Sequence, residues 1–144
     1  MGINYAIIGA GRQGTASAYD LVVNGGAERV VLIDNNHANA KDSAELINRL
    51  TGKDLCTPEY ADVNDINSLK KTLEDVQSAI SAVPYKFNYK LTQLAIEMGI
   101  NFCDLGGNTE LVKEQLMLND EADKKGISVV PDCGMDPGLN ISLI

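Results

Sequence analysis

The 144-residue sequence predicts an α/β fold with a doubly wound parallel sheet. Short β-rich runs alternate with stretches of helical period along its length, the pattern of a sheet covered by helices on both faces. The second β-rich run, Arg29-Val30-Val31-Leu32-Ile33, is mostly apolar, as suits a strand buried on both faces. A glycine pattern, Gly9-Ala10-Gly11-Arg12-Gln13-Gly14, stands where the chain turns from the first strand into the first helix.

Taken in order, Tyr5-Ala6-Ile7-Ile8 is the first predicted strand and Arg29–Ile33 the second. Between them Gly14, Ala18, Leu21 and Val22 recur at helical spacing up to the stop Asn24-Gly25-Gly26. Ala40, Ala44 and Ile47 mark a second helix ending near Gly52, and Ile66, Leu69 and Leu73 a short third. Leu55 to Ala61, which contains Pro58, is expected as a short or edge strand. Val76 to Val83 is a fourth strand, followed by a helix with Leu91, Leu94, Ala95 and Met98 on one face and Gly99 at its end. Ile100-Asn101-Phe102-Cys103 is the fifth strand. Leu111, Leu118 and Ala122 share one face of a single helix running to Gly126, and Ile127-Ser128-Val129-Val130 is the sixth strand. About six strands and five crossovers complete one domain over residues 1–132.

The composition fits an ordinary globular domain, with 44% hydrophobic and 22% charged residues. Twenty acidic and twelve basic residues give a formal charge of -8, and the basic residues are scattered, which argues against a nucleic-acid partner. No apolar run approaches the ~20 residues of a bilayer span, and the N-terminus enters a strand without the regions of a signal peptide. No membrane partner and a cytoplasmic location are therefore expected. Cys56, Cys103 and Cys133 form no C-x-x-C pair, so neither zinc nor a redox pair is expected.

The glycines match G-x-G-x-x-G in the context that gives that pattern meaning. They follow a strand, open a helix, and lie in a βαβ unit whose second strand ends in Asp34, twenty residues past Gly14. This is the dinucleotide fingerprint of a Rossmann fold. Gly9 allows the tight turn, Gly11 lets the backbone approach a pyrophosphate, and Gly14 lets helix and strand pack closely. The phosphates are expected on the free N–H groups at the positive end of the helix, those of Arg12 and Gln13 included. Asp34 is placed to accept hydrogen bonds from both ribose hydroxyls and to repel a 2'-phosphate, and Asn35-Asn36-His37 offers no arginine to receive one. NAD is therefore expected over NADP. His37, the only histidine, reads as a surface residue.

Ligands of such sheets lie across the carboxyl ends of the strands. Ser81-Ala82-Val83-Pro84-Tyr85 follows the fourth strand, Asp104-Leu105-Gly106-Gly107-Asn108 the fifth, and Asp132-Cys133-Gly134-Met135-Asp136-Pro137-Gly138 the sixth. The cofactor candidates are thus Gly9, Gly11, Arg12, Gln13, Gly14, Asp34, Asn35, Ala82, Val83, Pro84, Gly106 and Gly107, with Asn108 able to cap the next helix.

The segments AIIGAGRQG, SAVPYKFN, FCDLGGNTE and VVPDCGMDPG together resemble the saccharopine dehydrogenase-like family, most of all its lysine 6-dehydrogenases, over essentially the whole chain. The resemblance implies an NAD(P)-dependent oxidoreductase acting on a carbon–nitrogen bond of an amino or imino acid, and a homodimer in the complete protein. It also implies that Cys133 and Tyr85 lie near the substrate and that Asp136 orients a substrate ammonium. From the residues alone, Tyr85 reads equally as a helix-start packing residue, Cys133 as a buried thiol and Asp136 as a turn former. The chain is shorter than members of that family, so residues 133–144 are expected to begin the connection to a substrate and dimerisation domain, and this part alone to bind cofactor without turnover. The competing reading is a regulatory nucleotide-sensing Rossmann module without catalysis; another is a partner-binding fold with a vestigial site.

Overall fold

The computed structural model describes residues 2–134. Six parallel strands form one sheet in the order β3-β2-β1-β4-β5-β6. They are β1 Ile3–Ile8, β2 Ala27–Asp34, β3 Cys56–Tyr60, β4 Ser78–Ser81, β5 Asn101–Asp104 and β6 Val129–Val130. The connections hold α1 Arg12–Val23, α2 His37–Thr51, α3 Ile66–Thr72, a 3-10 turn Tyr85–Phe87, α4 Asn88–Met98, α5 Thr109–Leu116 and α6 Asn119–Lys125. The chain winds outward from β1 to β3, then crosses to β4 and winds the other way. This is the doubly wound Rossmann arrangement expected from the sequence, and its reversal point lies between β1 and β4.

Side chains alternate across each strand, so the core has two layers. Ile7, Val30 and Leu32 pack on one face with Ala18 and Val22 of α1 and Ala40, Ala44 and Ile47 of α2. Ala6, Ile8, Val31, Ile33, Ala79 and Phe102 pack on the other with Leu69 of α3 and Leu91, Leu94 and Ala95 of α4. β2 carries buried residues of both layers, which explains its continuous apolar run. β3 carries Pro58 at the sheet edge, where the missing N–H breaks no central ladder.

Three expectations change. The single helix to Gly126 is two, α5 and α6, broken at Met117–Leu118. The Met117 amide is shared between the Lys113 and Glu114 carbonyls at 3.3 and 3.2 Å, and the Leu118 amide bonds Gln115 at 3.0 Å, which tightens the turn and ends the helix. The break lets Leu118 and Ala122 reach Ile96, while the fully turned-in residue of α5 is Gln115 and not Leu111. β4 is shorter than Val76–Val83, because Asp75 has a left-handed φ of 63° and Val76 still belongs to the turn before the strand. β6 keeps only two of its four expected residues; Pro131 follows directly.

Helix ends follow the sequence signals. Asn36, Asp65 and Asn108 accept hydrogen bonds at the starts of α2, α3 and α5. Gly52, Gly99 and Gly126 close α2, α4 and α6 in the left-handed region. No helix among the described residues is long and apolar enough to cross a membrane.

Candidate functional site

The glycine turn lies at the carboxyl end of β1, between β2 and β4. Gly9 has φ +105°, donates to the Ile33 carbonyl at 2.7 Å, and would place a Cβ 2.8 Å from the Ala82 carbonyl. Gly14 faces the Gly9 carbonyl so closely that no Cβ fits between α1 and the turn. Gly11 differs: a Cβ there would meet nothing within 4 Å, so its missing side chain leaves open space above the turn. Gly11 is also the N-cap of α1, in extended conformation and without a side-chain cap. The first amides of α1, from Arg12, Gln13 and Gly14, are therefore not capped by a side chain, which is what a bound pyrophosphate requires.

The acid of the motif stands close by. Asp34 ends β2, and its Oδ2 accepts the Ala10 amide at 2.9 Å while Oδ1 accepts the Asn36 amide at 2.8 Å. Its carboxylate is thus fixed at the rim of a cleft of about 330 Å³. Gly9, Gly11, Asp34, Asn35, Ala82, Val83 and Pro84 all line this cleft. His37 starts α2, exposed and outside the lining, in keeping with a surface residue.

Ala61, Asp62, Val63 and Asn64 complete the wall from the turn after β3 and were not expected. Asp62 Oδ1 orders that turn by accepting both the amide and the side-chain Nδ2 of Asn64 at 2.8 Å. The signal for them was available: β3 is a strand of the same sheet, so its carboxyl end had to open on the ligand side.

The segment after β4 is closed at both ends by a buried pair. Ser81, the last residue of β4, donates from Oγ to Oδ1 of Asn88, the first residue of α4, at 2.8 Å. Ala82 to Phe87 are carried between them, and Tyr85 is 45% exposed. Gly107, in the turn after β5, packs against Tyr85, where a Cβ would lie 3.2 Å from the ring. Gly106 and Gly107 lie outside the cleft lining, Gly106 against Asp132 and Gly107 against Tyr85. Cys133 follows β6, exposed, with its Sγ 3.4 Å from the Val130 carbonyl and its amide bonded to the Asp104 carbonyl at 2.8 Å. Partial desolvation of the sulfur against the turn, although the residue as a whole is exposed, then the Asp104 carboxylate, then that of Asp132, push the Cys133 thiol above its ordinary value. Asp136 lies outside the described residues. Among the described residues no cluster of histidine, cysteine and acidic side chains is arranged to hold a metal.

The model of one protein family, described as the saccharopine dehydrogenase NADP binding domain, matches residues 5–130. Among solved structures, the apo saccharopine dehydrogenase (L-Glu forming) of Saccharomyces cerevisiae is similar, with 26% identity and a TM-score of 0.74 over 96% of this chain and 29% of that one. A quinate dehydrogenase of Corynebacterium glutamicum in complex with NAD shares the fold at 16% identity and a TM-score of 0.64, over 93% and 45% of the two chains. So does a shikimate 5-dehydrogenase of Listeria monocytogenes in complex with shikimate and NAD, at 22% identity and 0.62, over 94% and 47%. The chain spans less than half the length of each.

Proposed function

The chain belongs to the saccharopine dehydrogenase NADP binding domain family, and on that premise we propose that it is the cofactor-binding part of an oxidoreductase acting on a carbon–nitrogen bond of an amino or imino acid, with NAD as the preferred cofactor. Membership gives the coarser part of this reading: a pyridine-nucleotide-binding domain of the dehydrogenase superfamily. The finer part is supported by one observation above all. The open, uncapped turn at Gly11 and the fixed carboxylate of Asp34 lie on a single cleft, and the segments bearing Tyr85 and Cys133 follow β4 and β6, on either side of β5, at the same carboxyl end of the sheet.

The residues present fit a dinucleotide, since the space above Gly11 and the first amides of α1 form a cradle that one Cβ would begin to fill. Gly9, Gly11 and the amides of Arg12, Gln13 and Gly14 hold the pyrophosphate. Asp34 accepts the ribose hydroxyls with the lone pairs left over from Ala10 and Asn36, and Asn35 flanks it. Ala82, Val83 and Pro84 present a small, apolar wall that lets the cofactor run close to the backbone toward Gly106 and Gly107. When bound, the nicotinamide supplies the hydride acceptor or donor. The Tyr85 hydroxyl and the Cys133 thiol hold or pass the proton on the substrate nitrogen, and Asp136 orients its ammonium group. The reading extends to a lysine 6-dehydrogenase-like substrate, to a homodimer of the complete protein and to the cytoplasm.

The test is thermal unfolding with each cofactor. At a hundredfold excess over its Kd, a ligand specific for the native state adds about 2.7 kcal/mol, on the order of 5–10 °C for a domain of this size. NAD is expected to give the larger shift and NADP the smaller. No shift with either sinks the cofactor reading, and a larger shift with NADP overturns the NAD preference alone.

A further inference from the structure

The Asp104 carboxylate is wholly buried at the end of β5, and its hydrogen-bond donors are all neutral. Oδ1 accepts the amides of Gly106 at 2.7 Å and Asp132 at 3.2 Å. Oδ2 accepts Nε2 of Gln115 at 2.7 Å, and that buried amide is steadied by a second bond to Thr92 Oγ1 at 2.8 Å. A buried acid of this kind costs desolvation that an apolar residue would not, so its worth lies in what it holds. It holds two turns. Both turn through positive φ: Gly106 and Gly107 at +73° and +122°, which glycine adopts freely, and Asp132 at +64°, which a residue with a side chain adopts at a cost. Gly106 lies directly on the Asp132 carboxyl, where no Cβ fits, and Gly107 lies on the Tyr85 ring. The contacts therefore run without a break from Tyr85 through Gly107, Gly106, Asp104 and Asp132 to Cys133.

We propose that Asp104 is a positioning residue of the reaction end: it joins the turn after β5 to the turn after β6 and so fixes where Tyr85 and Cys133 stand relative to each other. The clamp is a property of the chain itself, while its service to catalysis rests on the reading above that Tyr85 and Cys133 face substrate. The charge of Asp104 acts in the same place. With Asp132 it faces the Cys133 thiol, and Cys103 on the adjoining strand is itself pushed up to about 11 by burial, then by Cys133 and Asp104. Cys133 is thereby kept as a protonated thiol that donates a hydrogen bond, and not as a nucleophilic thiolate.

Two substitutions in the 144-residue chain separate position from charge. D104A removes the acceptor of both turn amides, so hydrogen exchange at Gly106 and Asp132 is expected to quicken at least tenfold while the β1 amides stay slow. D104N keeps one acceptor oxygen for those amides, and its NH2 can meet Gln115 Oε1, which has no partner, once that amide turns over. Exchange in D104N is expected to stay near that of the parent, while the pH midpoint of Cys133 alkylation by iodoacetamide, read by peptide mass spectrometry, moves down. Unchanged exchange in D104A overturns the clamp, and an unchanged midpoint in D104N overturns its link to Cys133. Should D104A fail to fold, D104L, which fills the space of the side chain but also removes both acceptors, takes its place, and unchanged exchange at Gly106 and Asp132 there overturns the clamp. The melting shift with NAD on the same samples reports on the cofactor reading separately.

Discussion

Asp34 is bonded to Ala10 by a hydrogen bond of 2.9 Å, from the Ala10 amide to Oδ2, so the acid at the end of β2 is part of the glycine turn after β1. The other side of the same residue is held as well: the Ala10 carbonyl accepts Ser43 Oγ at 3.2 Å and Thr15 Oγ1 at 3.4 Å, and these two hydroxyls lie 2.9 Å apart. The turn is thus shaped by β2, α1 and α2 before any phosphate arrives, and less of the binding energy goes into ordering it.

Asp34→Ala is expected to weaken NAD more than NADP. Each hydrogen bond from a ribose hydroxyl to a carboxylate contributes about 1.5–3 kcal/mol, a loss of roughly ten- to a hundredfold in affinity. NADP escapes most of that loss, because the same substitution removes a negative charge facing its 2'-phosphate. Fluorescence titration with NADH and NADPH reads both; equal losses would mean that Asp34 serves the turn and not the ribose.

Gly11 and Gly14 separate binding from folding. Alanine at Gly14 has to enter the space of the Gly9 carbonyl, where backbone and not a flexible side chain is in the way, so about 1–3 kcal/mol or more of stability is lost. Alanine at Gly11 meets open space in an extended conformation any residue adopts, and stability should change by no more than about 1 kcal/mol. Its methyl group nevertheless stands where the pyrophosphate approaches. G14A should therefore melt several degrees lower, whereas G11A should melt close to the parent and lose the NAD-induced shift. A G11A chain that keeps the full shift would place the phosphates elsewhere.

The glycine turn, Asp34 and the doubly wound parallel sheet were legible because each rests on local signals that tertiary contacts reinforce: a glycine needed at Gly9 and Gly14, a buried run in β2, a proline at the edge in β3. What was not legible depended on distant partners. Nothing local in Leu111 to Gly126 announces the break at Met117, since it follows from Gln115 reaching Asp104 and Leu118 reaching Ile96 across the layer. Asp104 likewise reads as one more strand-end acid until the turns it binds are folded around it. Asp62 and Asn64 are a simpler case: they follow the short edge strand β3, where Pro58 and its acidic neighbour blur the strand pattern and so the position of the turn after it.

Alkaline pH should destabilise the chain partly through Cys56. Burial pushes its thiol up to about 11 from an ordinary 9.0, so the native state keeps a proton that the unfolded chain gives up. Stability from this group is complete below pH 9 and is lost as pH rises toward 11, with a slope of at most about 1.4 kcal/mol per pH unit. Melting curves from pH 8 to 11 should fall less steeply for Cys56→Ala than for the parent, after allowance for its lower starting stability. Parallel curves would show that the thiol titrates alike in both states.

Ser81 and Asn88 offer the sharpest test of how the wall of the cleft is held. Their hydrogen bond is buried and closes the segment from Ala82 to Phe87, so removing one partner strands the other away from water, at a cost of about 1–3 kcal/mol. Removing both strands neither, so the double variant S81A/N88A should lose clearly less than the sum of S81A and N88A. Urea unfolding measures all three. The same variants connect packing to function, because Ala82, Val83 and Pro84, which line the cleft, lie in the segment that this bond closes. Additive losses would mean that the pair is not coupled, and that the wall owes its shape to the apolar contacts of Val83 and Phe87 with the core instead.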